Sequence, residues 1–225
     1  MESENARARD DAGKYIAYGR YRSYRDAAWY CLYDYEIDRL PVDVRGIAAR
    51  AGIRVLADSA VHVLRPQEKG VAVWDGVRWS IVYDDAQTVE TCRYVIAHEL
   101  GHIFMGHGME RGATDQTVAE QLARAERTPT HEREADHFAI RLLCPACMLW
   151  ALDLHTAEEI AAVCLVPVTV AKPRARRMTT LYQRNCFLQS ELERRVFERF
   201  KPYIDGERKR YGLPPFDVDA AKCFE

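Results

Sequence analysis

Residues 95–107 read VIAHELGHIFMGH, and within them His98, Glu99 and His102 form the pattern HExxH. On a helix, side chains four residues apart project from one face, about 40° out of line, so the two imidazoles can close on one metal ion. Glu99 follows the first histidine directly, where a carboxylate can face a metal-bound water without replacing a ligand. That is the chemistry of zinc with a general base. The competing reading, a buried helix with chance polar residues, fits poorly. Val95, Ile96, Ala97, Leu100, Ile103, Phe104 and Met105 make the helix apolar nearly all round, and two imidazoles and a carboxylate in such surroundings need partners.

Two histidines leave a tetrahedral zinc short of a third protein ligand, because hydrolytic sites keep the fourth position for water. The stretch 131–145, HEREADHFAIRLLCP, has helical spacing through Ala135, Phe138, Ala139 and Leu142 and ends at Pro145. On it Glu132 and Asp136 lie four apart. Glu132 is the favoured ligand, and Asp136 suits the acceptor that takes the free ring N–H of a liganding histidine and fixes its tautomer. Glu134 competes with Glu132, but it projects about 160° away from Asp136 on an ideal helix, and a helix can turn only one of those faces to the metal. His107, His131 and His137 read as surface or supporting groups. A donor for the developing oxyanion must also exist, and Tyr83, Tyr94, His107, His137 and Arg141 stay open for that role.

The elements that position these groups follow from pattern. Between Lys14 and Leu40, Ala27, Ala28, Cys31, Leu32 and Tyr35 recur at helical spacing amid tyrosines, which predicts an amphipathic helix whose rings cover core. Pro41 opens a short helix over 42–50, with Gly52 at its C-terminal cap. Strands are expected at 53–57, 71–74 and 77–83, the last two joined by an Asp75-Gly76 turn. An antiparallel meander leading into the HExxH helix makes an α+β domain. Residues 108–130 are expected to form a mobile loop over the cleft, with a short helix near 117–126.

At 225 residues, with 48% hydrophobic and 29% charged residues, the chain has ordinary globular composition. A net charge of −2 makes no whole-protein case for nucleic acid or an anionic membrane. The polar N-terminus lacks the apolar core of a signal peptide, and a cytoplasmic location is expected. Seven cysteines, an odd number, then point to reduced thiols. Cys144 and Cys147 form one CxxC without a matching second pair, and core packing is its expected role, with a redox pair as the alternative.

The two motifs together resemble the ImmA/IrrE family of metallo-endopeptidases, which pair HExxH with a downstream ExxAD or ExxAN, then Phe-Ala and a Leu-Leu-Met-Pro-like ending. Here those features fall on His98, Glu99, His102, Glu132, Ala135, Asp136, Phe138, Ala139, Leu142, Leu143 and Pro145; Cys144 stands where methionine is common. The resemblance implies a zincin-like core and zinc-dependent proteolysis of a protein substrate inside bacterial cells, often a helix-turn-helix repressor of a mobile element or stress regulon.

Beyond the motifs, Thr156 and Glu159 make a capping box, and Ile160, Ala161 and Val163, a break at Pro167, then Val170, Ala171, Arg174, Arg176 and Arg177 suggest a helix-turn-helix. Pro173 inside the second helix weakens a recognition role, so packing or protein docking is expected, with DNA contact as the alternative. The expected organisation is an N-terminal helical segment, 1–40; a peptidase core, 41–152; a helical appendage, 153–206; and a tail, 207–225. A regulatory module with a purely structural zinc is the rival function, and it has no use for a carboxylate at Glu99.

Overall fold

In the computed structural model, which describes residues 23–75, 77–107 and 127–222, helix α1 covers Tyr24–Asp34 and helix α2 Val44–Arg50. The part of the expected N-terminal helix before Ser23, the expected short helix at 117–126 and residues 108–126 of the expected loop lie outside the described residues, and the last two residues of that loop, 129 and 130, are helical. Ala27, Ala28, Cys31, Leu32 and Tyr35 are buried while Tyr30 is exposed, as the helical spacing requires. Gly52 closes α2 at φ 69°. Its N–H reaches the Ala49 carbonyl, and the Ile53 N–H reaches that of Ala48, a pair of bonds that needs a left-handed residue between them.

Strands β1 (Arg54–Ala57), β2 (Gly70–Trp74) and β3 (Trp79–Tyr83) form a three-stranded sheet, with helix α3 (Asp58–Val61) after the first. The hairpin is present, antiparallel with Trp74 opposite Trp79. Its second strand starts two residues later than the β-branched pattern suggests, because the Asp75 carboxylate accepts the N–H groups of Val77 and Arg78 and diverts them from the ladder. The expected antiparallel meander is corrected at β1, which pairs parallel with β3 in the order β1-β3-β2. The chain between β1 and β2 is long enough to pass over the central position and leave it for β3. All five β3 residues are accordingly buried.

Helix α4 (Val89–Met105) packs on the hairpin where β2 begins. A Cβ at Gly70 would lie well inside van der Waals contact with Val95 and 3.2 Å from the Val82 carbonyl. Gly70→Ala is therefore expected to cost about 1–3 kcal/mol, since a short branched neighbour has no room to swing away. Thermal unfolding of the zinc-free protein measures this, and an unchanged melting temperature would remove the close-approach argument.

The remaining elements are α5 (Pro129–Leu143), α6 (Ala146–Ala151), α7 (Ala157–Cys164), α8 (Val168–Gln183), α9 (Glu191–Arg210) and α10 (Val218–Lys222). The described residues fall into two compact units, one holding those within 1–27, 44–88 and 95–139, the other those within 28–43, 89–94 and 140–225. The first holds the sheet and the chemistry-bearing parts of α4 and α5. The architecture is a mixed α+β one, a small sheet with mostly helices.

In the second unit the Thr156–Glu159 capping box is formed in both directions. Helix α8 runs through Pro173. Arg174, one of the three arginines of the suggested helix-turn-helix, is buried and donates to the Cys144 carbonyl at 2.8 Å. Only Arg176 and Arg177 of that trio are exposed, which leaves little for phosphate contact. Cys144, Cys147 and Cys164 are buried free thiols, and burial raises Cys147 well above its ordinary pKa, so it stays a protonated core residue.

The later helices of this unit pack on α6. Trp150 stacks on Phe187 at 4.7 Å and meets Phe216 edge-on at 4.8 Å. Arg208 donates to the carbonyls of Ala151 and Pro214, and α9 continues to Arg210, four residues into the stretch expected as a tail. Cutting the chain after Leu152 would expose these rings. Among the described residues, no helix is long and apolar enough to cross a membrane.

Candidate metal centre

Gly101 sets the geometry of the site. A Cβ there would lie 3.0 Å from the Phe138 ring, 3.2 Å from the Ala135 Cα and 3.3 Å from the Ala135 carbonyl, so α4 and α5 touch almost backbone to backbone at this point. Residues one turn either side of the contact must then face one another: His98 and His102 on α4, Glu132 and Asp136 on α5. Thr128 caps α5 by accepting the His131 N–H at 3.2 Å, and Pro129 takes the first helical position, placing Glu132 in the first turn.

The three nominated ligands converge. His98 Nε2 and His102 Nε2 are 3.0 Å apart, Glu132 Oε2 is 3.2 Å from His98 Nε2, and Glu132 Oε1 is 3.5 Å from His102 Nε2. A tetrahedral zinc with ligand bonds near 2.0–2.1 Å implies ligand separations of roughly 3.4 Å. The triangle fits that donor set, and these side chains form a group that could hold a metal ion. His102 is 2% exposed, whereas the Glu132 side chain is 41% exposed, so the site opens toward solvent on the carboxylate side.

Each histidine has its other nitrogen occupied. Asp136 Oδ1 lies 2.9 Å from His98 Nδ1. His107 Nδ1 lies 3.2 Å from His102 Nδ1, and His107 Nε2 in turn lies 3.1 Å from Glu134 Oε2. Glu134, the rival ligand, therefore faces His107 and not the triangle. Burial works against a charged His98, but the Asp136 hydrogen bond and the charges of Glu99, Asp136 and Glu132 outweigh it and hold its pKa above the ordinary value. Burial, with Arg127 and the neighbouring histidines, pushes His102 down to about 2. Burial and His131 lower His107 against the pull of Glu134.

Glu99 is 2% exposed and is held by a residue that sequence reasoning missed. Arg127 donates to it through both arms, at 2.7 and 3.3 Å, and approaches Glu132 Oε1 at 3.9 Å. Burial disfavours its charge, but Glu99 more than restores it. Nothing periodic marks Arg127, because it lies just before α5 in a stretch with no helical pattern. Of the open oxyanion candidates, Tyr83 lies beneath Arg45 at 4.7 Å, His137 rests against Tyr24 at 4.9 Å, and His107 stands behind His102. Tyr94 and Arg141 belong to the other unit.

A trio of metal-competent side chains beside a buried carboxylate defines the class of site that metal-dependent hydrolases use. The family model for peptidase M78, the IrrE N-terminal-like domain, matches residues 48–183. The chain belongs to that family, and the family implies peptidase activity. No curated protein matches the chain. The match runs to the last residue of α8, so the α7–α8 pair lies inside the family region.

Proposed function

We propose that the protein is a zinc-dependent endopeptidase with a zincin-like core, acting in the cytoplasm on a narrow set of protein substrates, foremost a helix-turn-helix repressor. The observation that carries the reading is the triangle of His98, His102 and Glu132 with Glu99 buried alongside. Two imidazoles and one carboxylate with an open side are a donor set for catalytic zinc. Asp136 keeps the His98 proton on Nδ1 and frees Nε2 for the metal.

Bound there, zinc would polarise the scissile carbonyl and acidify a water. Glu99 takes a proton from the attacking water at a carboxylate oxygen and delivers it to the leaving amine nitrogen. Arg127 occupies both carboxylate oxygens of Glu99, so the longer, 3.3 Å arm must open before that oxygen can take a proton. Once released, that arm is a cationic donor beside the reaction and suits the developing oxyanion. Family membership supports a protein substrate, and the repressor is the substrate the sequence resemblance implies.

The test is to incubate the zinc-loaded protein with casein and, separately, with the helix-turn-helix repressor encoded beside it. Cleavage of the repressor with casein nearly untouched is expected. Rapid cutting of casein with the repressor intact would refute the narrow specificity.

A further inference from the structure

Resting on the zinc reading above, the geometry points to His107 as a positioning residue for the ligand His102, with Glu134 setting the proton order of the pair. The end of α4 creates this contact. Gly106 has φ 73°; the His107 N–H bonds the His102 carbonyl at 2.9 Å, and the Gly106 N–H bonds that of Ile103 at 3.1 Å. This left-handed reversal folds the chain back over the final turn. The residue five places after His102, which a continuing helix would carry round to another face, is brought back over the His102 ring. His131 stacks on the His107 ring at 4.4 Å with 14° between planes, which fixes its orientation.

Proton counting then gives the order. Between two imidazole nitrogens a hydrogen bond needs one donor and one acceptor, and each neutral ring has one proton. A carboxylate only accepts. Glu134 Oε2, 3.1 Å from His107 Nε2, therefore requires the His107 proton on Nε2 and leaves His107 Nδ1 as an acceptor. His102 Nδ1, 3.2 Å away, must then be the donor, which strips His102 Nε2 of its proton. That bare nitrogen is the one in the triangle. Without Glu134 the order can reverse, and His102 can carry its proton on Nε2, where it shields the lone pair a metal needs. Glu134 thus acts on the metal through two imidazoles, as Asp136 acts through one.

The experiment measures Zn2+ affinity of the full chain by competition with a chromophoric chelator, and the visible absorption of the Co2+-loaded protein. His107→Phe keeps ring volume and stacking but has no acceptor; affinity should fall about 10–100-fold and the cobalt spectrum should change. His107→Asn places a carbonyl oxygen where Nδ1 stood and should return most of the affinity. Glu134→Met should give a smaller fall. Wild-type affinity and spectrum in His107→Phe would overturn the inference, and so would an asparagine variant as weak as the phenylalanine one, because only ring packing would then matter. If His107→Phe fails to fold, unchanged affinity in Glu134→Met overturns it equally. His98→Ala is the control: if wild type binds no more zinc than that variant, the zinc reading itself fails and this inference with it.

Discussion

Replacing Glu99 with glutamine should leave zinc content and fold in place and reduce cleavage of a protein substrate by about 10²-fold or more. The size follows from what the substitution removes. Glutamine has nearly the shape of glutamate, so the 2% exposed site is not emptied, and Glu99 is not among the three side chains of the triangle. What disappears is the basic oxygen pair. The amide can still accept one arm of Arg127, but its NH2 group faces the other donor. Losing part of a charged bidentate contact costs about 1–3 kcal/mol, modest against the roughly 5–15 kcal/mol that holds a folded protein together. A small fall in melting temperature with a large fall in rate is therefore the expected pair of results. Metal analysis and a cleavage assay on the same preparation check it, and wild-type cleavage by Glu99→Gln would rule out the general-base role.

The second large effect concerns metal retention. His102→Ala and Glu132→Ala should each lower zinc affinity by on the order of 10²-fold or more, because a structural zinc site gains about 10–16 kcal/mol from four ligands and each ligand carries a proportionate share. Glu132 is the cleaner of the two, since its side chain is 41% exposed and its removal opens no core cavity. His102→Ala also removes the ring nitrogen that faces His107 Nδ1 and opens a cavity at a buried position, so it should lower the stability of the zinc-free protein. Glu134→Ala gives the contrast. It faces His107 and not the triangle, so its loss should weaken zinc binding less than Glu132→Ala does. Elemental analysis after dialysis against a weak chelator measures all three. Full retention in Glu132→Ala with loss in Glu134→Ala would exchange the roles of the two carboxylates.

Local regularities were legible wherever one element settles the outcome. The i, i+4 period brings His98 and His102 onto one face of α4, Gly52 ends α2, Thr156 and Glu159 cap α7, and Asp75 turns the hairpin. Each depends on residues fewer than six apart. The sheet order was not legible, because strand pattern says which face is buried but not which edge a strand joins, and β1 took the parallel place beside β3. The burial of Arg174 was not legible for a related reason: the Cys144 carbonyl gives it an inward partner that no spacing rule could supply.

By itself the sequence determined the donor types, their helical registers and the family motif, because these depend on side-chain chemistry and a fixed 3.6-residue period. Gly106 and His107 also carried a readable signal: a glycine straight after an apolar helical run marks a reversal, and the next residue folds back. Only tertiary structure decided which α5 carboxylate meets the triangle, since Gly101 against Ala135 sets how α5 is rotated, and that contact joins residues 34 positions apart. It also decided that Arg127 reaches Glu99 and that Glu134 stands behind His107. Polar contacts of this kind form wherever packing brings the two partners together in a site of low dielectric, and the distance that governs them is through space and not along the chain.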